Sequence, residues 1–181
     1  MRLDRIEIAG FRGIRRLSLQ VDELTVLIGE NAWGKSSLLD ALELALHPSG
    51  DKPRFKRSDF HVDHALGVAP EQQFQIILRW QESFPGEYKA RRYRRFKPLW
   101  NGENAGCRTL DYCLNATMQD SKVSVQRVFL SCHGDAIEKV DNDALASHLM
   151  QIHPVVRVRD ARRMRVPGQI VNKDNTRIGY Y

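Results

Sequence analysis

Residues 24–46 read Leu24-Thr25-Val26-Leu27-Ile28-Gly29-Glu30-Asn31-Ala32-Trp33-Gly34-Lys35-Ser36-Ser37-Leu38-Leu39-Asp40-Ala41-Leu42-Glu43-Leu44-Ala45-Leu46. Gly29 and Gly34 are separated by four residues and followed at once by Lys-Ser, the spacing of a phosphate loop. In such a loop the glycines let the backbone turn so that successive N–H groups point at phosphate oxygens. Lys35 then reaches the β/γ oxygens, and the Ser36 hydroxyl is placed to hold a magnesium ion. The flanks agree with that geometry. Leu24–Ile28 is an apolar, β-branched run that reads as a buried strand. The segment from Ser36 puts Leu38, Leu39, Leu42 and Leu46 on one helical stripe, which Pro48-Ser49-Gly50 ends. The helix N-terminus aims its partial positive charge at the same anion. Residues 29–37 are therefore the candidate nucleotide contacts: Gly29, Glu30, Asn31, Ala32, Trp33, Gly34, Lys35, Ser36 and Ser37. Trp33 sits where small residues are usual, and either stacks near the nucleotide or packs against the sheet.

Upstream of the loop, residues 2–9 and 15–21 alternate apolar and polar around a turn at Phe11-Arg12-Gly13, which predicts a hairpin. Downstream, residues 50–70 are rich in Asp, Lys, Pro, Arg and His and read as an irregular connector. Strand-like runs follow at Phe74–Trp80, Tyr88–Phe96, Thr109–Met118 and Val123–Cys132, the pattern of an antiparallel meander. Asp141 is placed to cap a helix running to Ile152, and Val155–Val158 reads as a last strand. The expectation is an α/β domain over residues 1–171, a mixed sheet with a β-meander and few helices. Residues 172–181 read as a loosely ordered tail.

Composition narrows the class. The chain has 181 residues, 42% of them hydrophobic and 28% charged, enough for one domain with a real core. No apolar run reaches the length of a membrane span and no signal-type core follows Met1, so a cytoplasmic protein is expected. Cys107, Cys113 and Cys132 lack metal-pair spacing and read as free thiols. The six histidines form no ligand pattern.

The formal net charge is +6. Residues 89–97, Lys-Ala-Arg-Arg-Tyr-Arg-Arg-Phe-Lys, hold six cations and no acid. As a strand, this segment places Lys89, Arg91, Tyr93, Arg95 and Lys97 on one face. That face is either a ladder for a nucleic-acid backbone or a charged edge that discourages strand pairing.

The opening Ile6-Glu7-Ile8-Ala9-Gly10-Phe11-Arg12-Gly13 and the loop with its helix resemble the N-terminal lobe of ABC-type ATPase heads of the SMC, Rad50 and RecF group. Within that group the chain is most similar to the OLD (overcoming lysogenization defect) family of ATP-dependent endonucleases. Arg54-Phe55-Lys56-Arg57-Ser58-Asp59-Phe60 and Pro154-Val155-Val156-Arg157-Val158-Arg159-Asp160-Ala161-Arg162 add to the match. The resemblance implies ATP and Mg2+ as ligands, DNA and a second copy as partners of the full-length protein, and a role in DNA repair or phage defence. It implies that Asn31 lies near the γ-phosphate and that Arg12 approaches the nucleotide. It also places Arg57 at nucleotide or DNA. Asp160 falls where the wider group carries a magnesium-contacting glutamine, so Asp160 joins Ser36 as a metal candidate, the alternative being an ion pair to a neighbouring arginine. Arg91, Arg95, Lys97 and Arg57 are the nucleic-acid candidates.

No run of four apolar residues here ends in Asp-Glu, and no Leu-Ser-Gly-Gly-like signature is present. Phosphoryl transfer in such heads needs both the magnesium-ordering Asp and a residue that activates water. The acidic TOPRIM nuclease domain of the OLD family is missing too. The chain is thus expected to bind ATP with little turnover and to carry no catalytic residue of its own. Two other readings are open. One is a small-molecule phosphate-loop kinase, against which stand the hairpin before the loop and the strands after it. The other is a non-enzymatic nucleic-acid-binding module.

Overall fold

Alternation in β1 (Arg2–Phe11) buries Ile6 and Ile8 and leaves Arg5 and Glu7 on the opposite face. β1 turns at Arg12-Gly13 into β2 (Ile14–Gln20), pairing Ile6 with Leu19 and Phe11 with Ile14. The computed structural model describes residues 1–29, 34–62, 72–102, 106–120, 122–157, 170–171 and 177–178. After helix α1 (Lys35–Ala45) the chain returns as β3 (Gln73–Gln81), antiparallel to the far side of β1. β4 (Thr109–Gln119) and β5 (Lys122–Leu130) complete a sheet of order β2-β1-β3-β4-β5. All four pairings in that sheet are antiparallel, so the expected mixed sheet is not seen among the described residues. A separate two-stranded ladder joins β6 (Ile170–Val171) and β7 (Arg177–Ile178). The remainder of the predicted tail lies outside the described residues. Among those residues no helix is long and apolar enough to cross a membrane.

Register sets the core. Ile8, Ile76 and Leu114 lie across three strands, and Ile6, Leu78, Tyr112 and Phe129 across four. At one end, Phe74 makes edge contacts with Phe11, Phe55 and Phe60 at centroid distances of 5.1, 4.8 and 5.1 Å. α1 packs on this face through Leu38, Ala41 and Ala45, with Leu46 just past its end. Leu39, predicted on the same stripe, is exposed because the buried positions step by three and four from Leu38. α2 (Asn142–Ile152) covers the other end, with Asp141 accepting a hydrogen bond from the Ala144 amide as the predicted cap.

Three predicted strands are not strands among the described residues: Leu24–Ile28, Tyr88–Phe96 and Val155–Val158, whose last residue lies outside them. Tyr88–Phe96 is not extended: Glu87–Lys89 and Arg91–Leu99 are 3-10 helices. Burial there repeats every three residues, at Tyr93, Phe96 and Leu99, so the cations cannot alternate as a strand would have them. Arg95 is consequently off the row that carries Arg91 and Lys97. Residues 154–157 pair with no strand, although Val155 donates its amide to Leu46 O at 3.2 Å.

A buried arginine joins three elements. Arg127 on β5 donates to Asp143 of α2 at 2.9 Å and to the Gly50 carbonyl at 2.9 Å. Arg127→Ala leaves that carbonyl without its charged donor and should cost about 2–3 kcal/mol in urea unfolding. Lys52→Ala, which removes only an exposed partner of Asp143, should change stability by less than about 0.5 kcal/mol.

Two groups make stability depend on pH. Burial, aided by the positive Met1 amino group and Arg92, lowers the His153 imidazole to about 4 from 6.5. Burial would raise the Glu87 carboxyl, but the Met1 ammonium, the Ser83 amide and Arg92 outweigh it and hold the group at about 2. Between pH 6.5 and 4 the unfolded chain takes up a proton on His153 that the folded chain refuses, so stability falls as pH falls. Glu87 adds a second loss between pH 4.5 and 2 by the same sign. Urea midpoints measured across pH should show both, and His153→Phe should flatten only the upper part.

Candidate functional site

The loop and the start of α1 are held by the hairpin. Gly34 is the N-cap of α1 and has φ 79°, a left-handed conformation that favours glycine. A Cβ there would stand 3.1 Å from Cγ1 of Ile14, the first residue of β2. Glycine is thus needed twice, for the backbone angle and for the close approach. The Lys35 ammonium donates to the carbonyl of Gly29, which bridges the two ends of the loop. Glu30, Asn31, Ala32 and Trp33 lie outside the described residues.

The first turn of α1 contains no acid, and no side chain caps its amides. Those N–H groups and the helix dipole suit an anion. Ser36 is exposed there and Ser37 is half-buried. The Ser36 hydroxyl fits one magnesium ligand. Among the described residues no group of three or more His, Cys, Asp or Glu is arranged to hold a metal, and Asp160 lies outside them. A groove of about 380 Å3 runs beside the loop, lined among others by Ile14, Arg15, Leu17, Val26, Ile28 and Lys35.

Arg12, with φ 47° at the hairpin turn, is engaged by carboxylates. Its Nε donates to Asp59 Oδ1 at 2.8 Å and its guanidinium also pairs with Asp40 of α1. Asp40 pairs in addition with Arg157, which lies 3.6 Å from Glu43. Asp59 is buried and accepts the Lys56 amide at 2.8 Å, whereas Arg57, two residues before it, is exposed. Sequence reasoning missed Asp40, Asp59 and Ile14. Asp40 and Glu43, one helical turn apart on α1, were the available signal for a cationic partner.

Leu24–Ile28 is the point where the sequence expectation fails most clearly. These residues have no ladder partner among the described residues. Leu24, Val26 and Ile28 are 84%, 70% and 91% exposed, while Leu27 packs against the core. Alternation is present and a neighbouring strand is not. On the polar face of the sheet, burial pushes the Cys113 thiol up to about 11, against the lowering bonds from Gln75 and Asn115, so it stays protonated at neutral pH.

A family model described as "Protein of unknown function (DUF2813)" matches residues 1–179. The chain is 45% identical over 166 residues to "Uncharacterized protein YbjD" of Escherichia coli (strain K12), a match covering 91% of this chain and 30% of that protein. The chain therefore spans about a third of that relative's length. Among solved structures it is similar to a chain described as "Structural biochemistry of ATP-driven dimerization and DNA stimulated activation of SMC ATPases". There the TM-score is 0.50 at 13% identity, covering 83% of this chain and 79% of the other. That likeness is one of fold, and it supports an ABC/SMC-like α/β architecture.

Gly34→Ala forces a side chain into the left-handed region and against Ile14. It should lower stability by about 1–2 kcal/mol and weaken any ligand of the loop. Thermal unfolding with and without an ATP analogue checks both effects.

Proposed function

Because the chain belongs to the family described as a protein of unknown function (DUF2813), its activity must be read from its own residues, and we propose that it is an ATP-binding lobe of an ABC/SMC-type ATPase head. The carrying observation is the joint at Gly34, from which an uncapped, acid-free helix start and Lys35 face the loop that Gly29 opens. Gly29, Gly34, Lys35, Ser36 and Ser37 form the described part of the cradle, and Glu30 to Trp33 fill the sequence between. Bound magnesium would neutralise phosphate charge, with Ser36 as one ligand and Asp160 as a second. Arg12 steadies α1 through Asp40 and is held in turn by Asp59.

The finer reading is that the full-length protein is an OLD-like, ATP-dependent DNA endonuclease that works as a homodimer. The motifs at Arg54–Phe60 and Pro154–Arg162 support it. Hydrolysis is assigned to an Asp-Glu strand and a signature segment, and cutting to a TOPRIM domain, none of which these 181 residues contain. The kinase alternative is weakened by the hairpin ahead of the loop and by the four strand pairings that build an antiparallel sheet rather than a lid.

Titration of the chain with an ATP analogue and magnesium tests the cradle. Lys35→Ala should weaken binding at least tenfold, a loss of about 1.4 kcal/mol or more. Equal affinity in both proteins would sink the assignment.

A further inference from the structure

A 3-10 helix of nine residues is long for its type, since such runs rarely exceed three or four. Here it is pinned from beneath. Tyr93 stacks on His153 at 5.9 Å, Phe96 stacks on His148 at 5.4 Å and meets Phe129 at 6.0 Å, and Leu99 is buried with them. In this helix side chains three apart eclipse one another. With Tyr93, Phe96 and Leu99 forming the buried row, Arg91, Arg94 and Lys97 form a second row and Arg92 and Arg95 a third.

The second row is uncompensated. Among the described residues no carboxylate lies within ion-pairing distance of Arg91, Arg94, Arg95 or Lys97, whereas Arg92 pairs with Glu87 at 3.0 Å. Arg91, Arg94 and Lys97 also line one depression of about 470 Å3 with Lys89 and Tyr88, and Arg95 is not part of it. The Arg108 guanidinium lies 4.1 Å over the Tyr88 ring, which brings a further cation to the rim. Rows of like charge at this spacing repel one another. A rigid, eclipsed row therefore holds an electrostatic cost that a polyanion relieves.

Successive cations on the row are about 6 Å apart, three residues at about 2 Å of rise each. That step is close to the separation of adjacent phosphates along one polynucleotide strand. We propose that the Arg91–Arg94–Lys97 row, with Lys89 at its start, docks the phosphodiester backbone of a nucleic-acid strand, contacting about three phosphates. The contacts proposed are to backbone, which position a strand without reading its sequence. It gives the DNA reading above a location and does not draw on the nucleotide loop.

Fluorescence anisotropy with labelled single-stranded and duplex DNA of mixed sequence, across a salt series, tests the row. In the Arg91→Gln/Arg94→Gln/Lys97→Gln protein the slope of log K against log salt should fall by about two to three, from about 0.7–0.9 per lost phosphate contact. Arg94→Gln alone should lower it by about one, and Arg95→Gln should leave it unchanged. Steeper loss on the single strand identifies that form as the partner, and steeper loss on the duplex identifies the other. All substituted positions are exposed, so melting temperatures should match the parent, and ATP-analogue affinity should persist in the triple variant even where DNA affinity is lost. An unchanged slope in the triple variant overturns the proposal. So do equal effects of Arg94→Gln and Arg95→Gln, or competition by polyglutamate as strong as by DNA at equal ionic strength, since either result marks diffuse attraction.

Discussion

The helix that carries Lys35 is fixed to the sheet at two points, and the site's geometry depends on both. At its N-cap, Gly34 lets the backbone approach Ile14 so closely that a Cβ would stand 3.1 Å from the Ile14 side chain. Further along, Asp40 is gripped by Arg12 from the hairpin turn and by Arg157 from the segment after α2. Arg12 is itself placed by Asp59, whose carbonyl also accepts the Arg12 amide at 2.9 Å. One side of the loop is thus set by close packing and the other by partly buried charge. Partly buried pairs of this kind lose their value when one partner is removed, because the survivor is left facing reduced hydration. The hairpin turn therefore helps to set where α1 and its first residue lie.

The sheet has two unlike faces. The inner one carries Ile6, Ile8, Ile76, Leu78, Leu114 and the aromatic residues, while the outer one carries Gln75, Arg79, Asp111 and Asn115, joined by side-chain bonds such as Arg79 to Asp111 at 2.6 Å. That division follows from alternation on every strand. It leaves α1 and the 24–28 segment on the apolar side, where α1 packs on the core while Leu24, Val26 and Ile28 are exposed. Three large apolar side chains in alternate, extended positions form the kind of edge that invites another strand.

What the sequence made legible was what local pattern determines. The hairpin, β3, β4, β5, α2 and its Asp141 cap all follow from alternation or capping within their own residues. The loop's spacing likewise announced Gly34 as a special position. Residues 89–97 do not show their period because polar side chains hide it: Tyr93 and Phe96 are three apart, and only Leu99, beyond the cationic run, completes a period of three. Pro98, immediately after that run and inside the 3-10 helix, is a further sign against a strand. Leu24–Ile28 has a strand's composition, but a strand exists only with a neighbour, and pairing is not written in the segment itself. The carboxylates around Arg12 were invisible for the same reason, as Asp40 and Asp59 come together only once α1 lies on the sheet.

The 24–28 segment and the start of α1 are joined at Gly29. Gly29 follows the exposed segment and its carbonyl accepts the Lys35 ammonium, which ties the end of that segment to the start of α1. A phosphate oxygen offers the ammonium a charged acceptor in place of a neutral carbonyl, and such bonds are roughly twice as strong. The exchange releases Gly29 while Gly34 keeps the helix end where it is, because the latter is set by packing against Ile14.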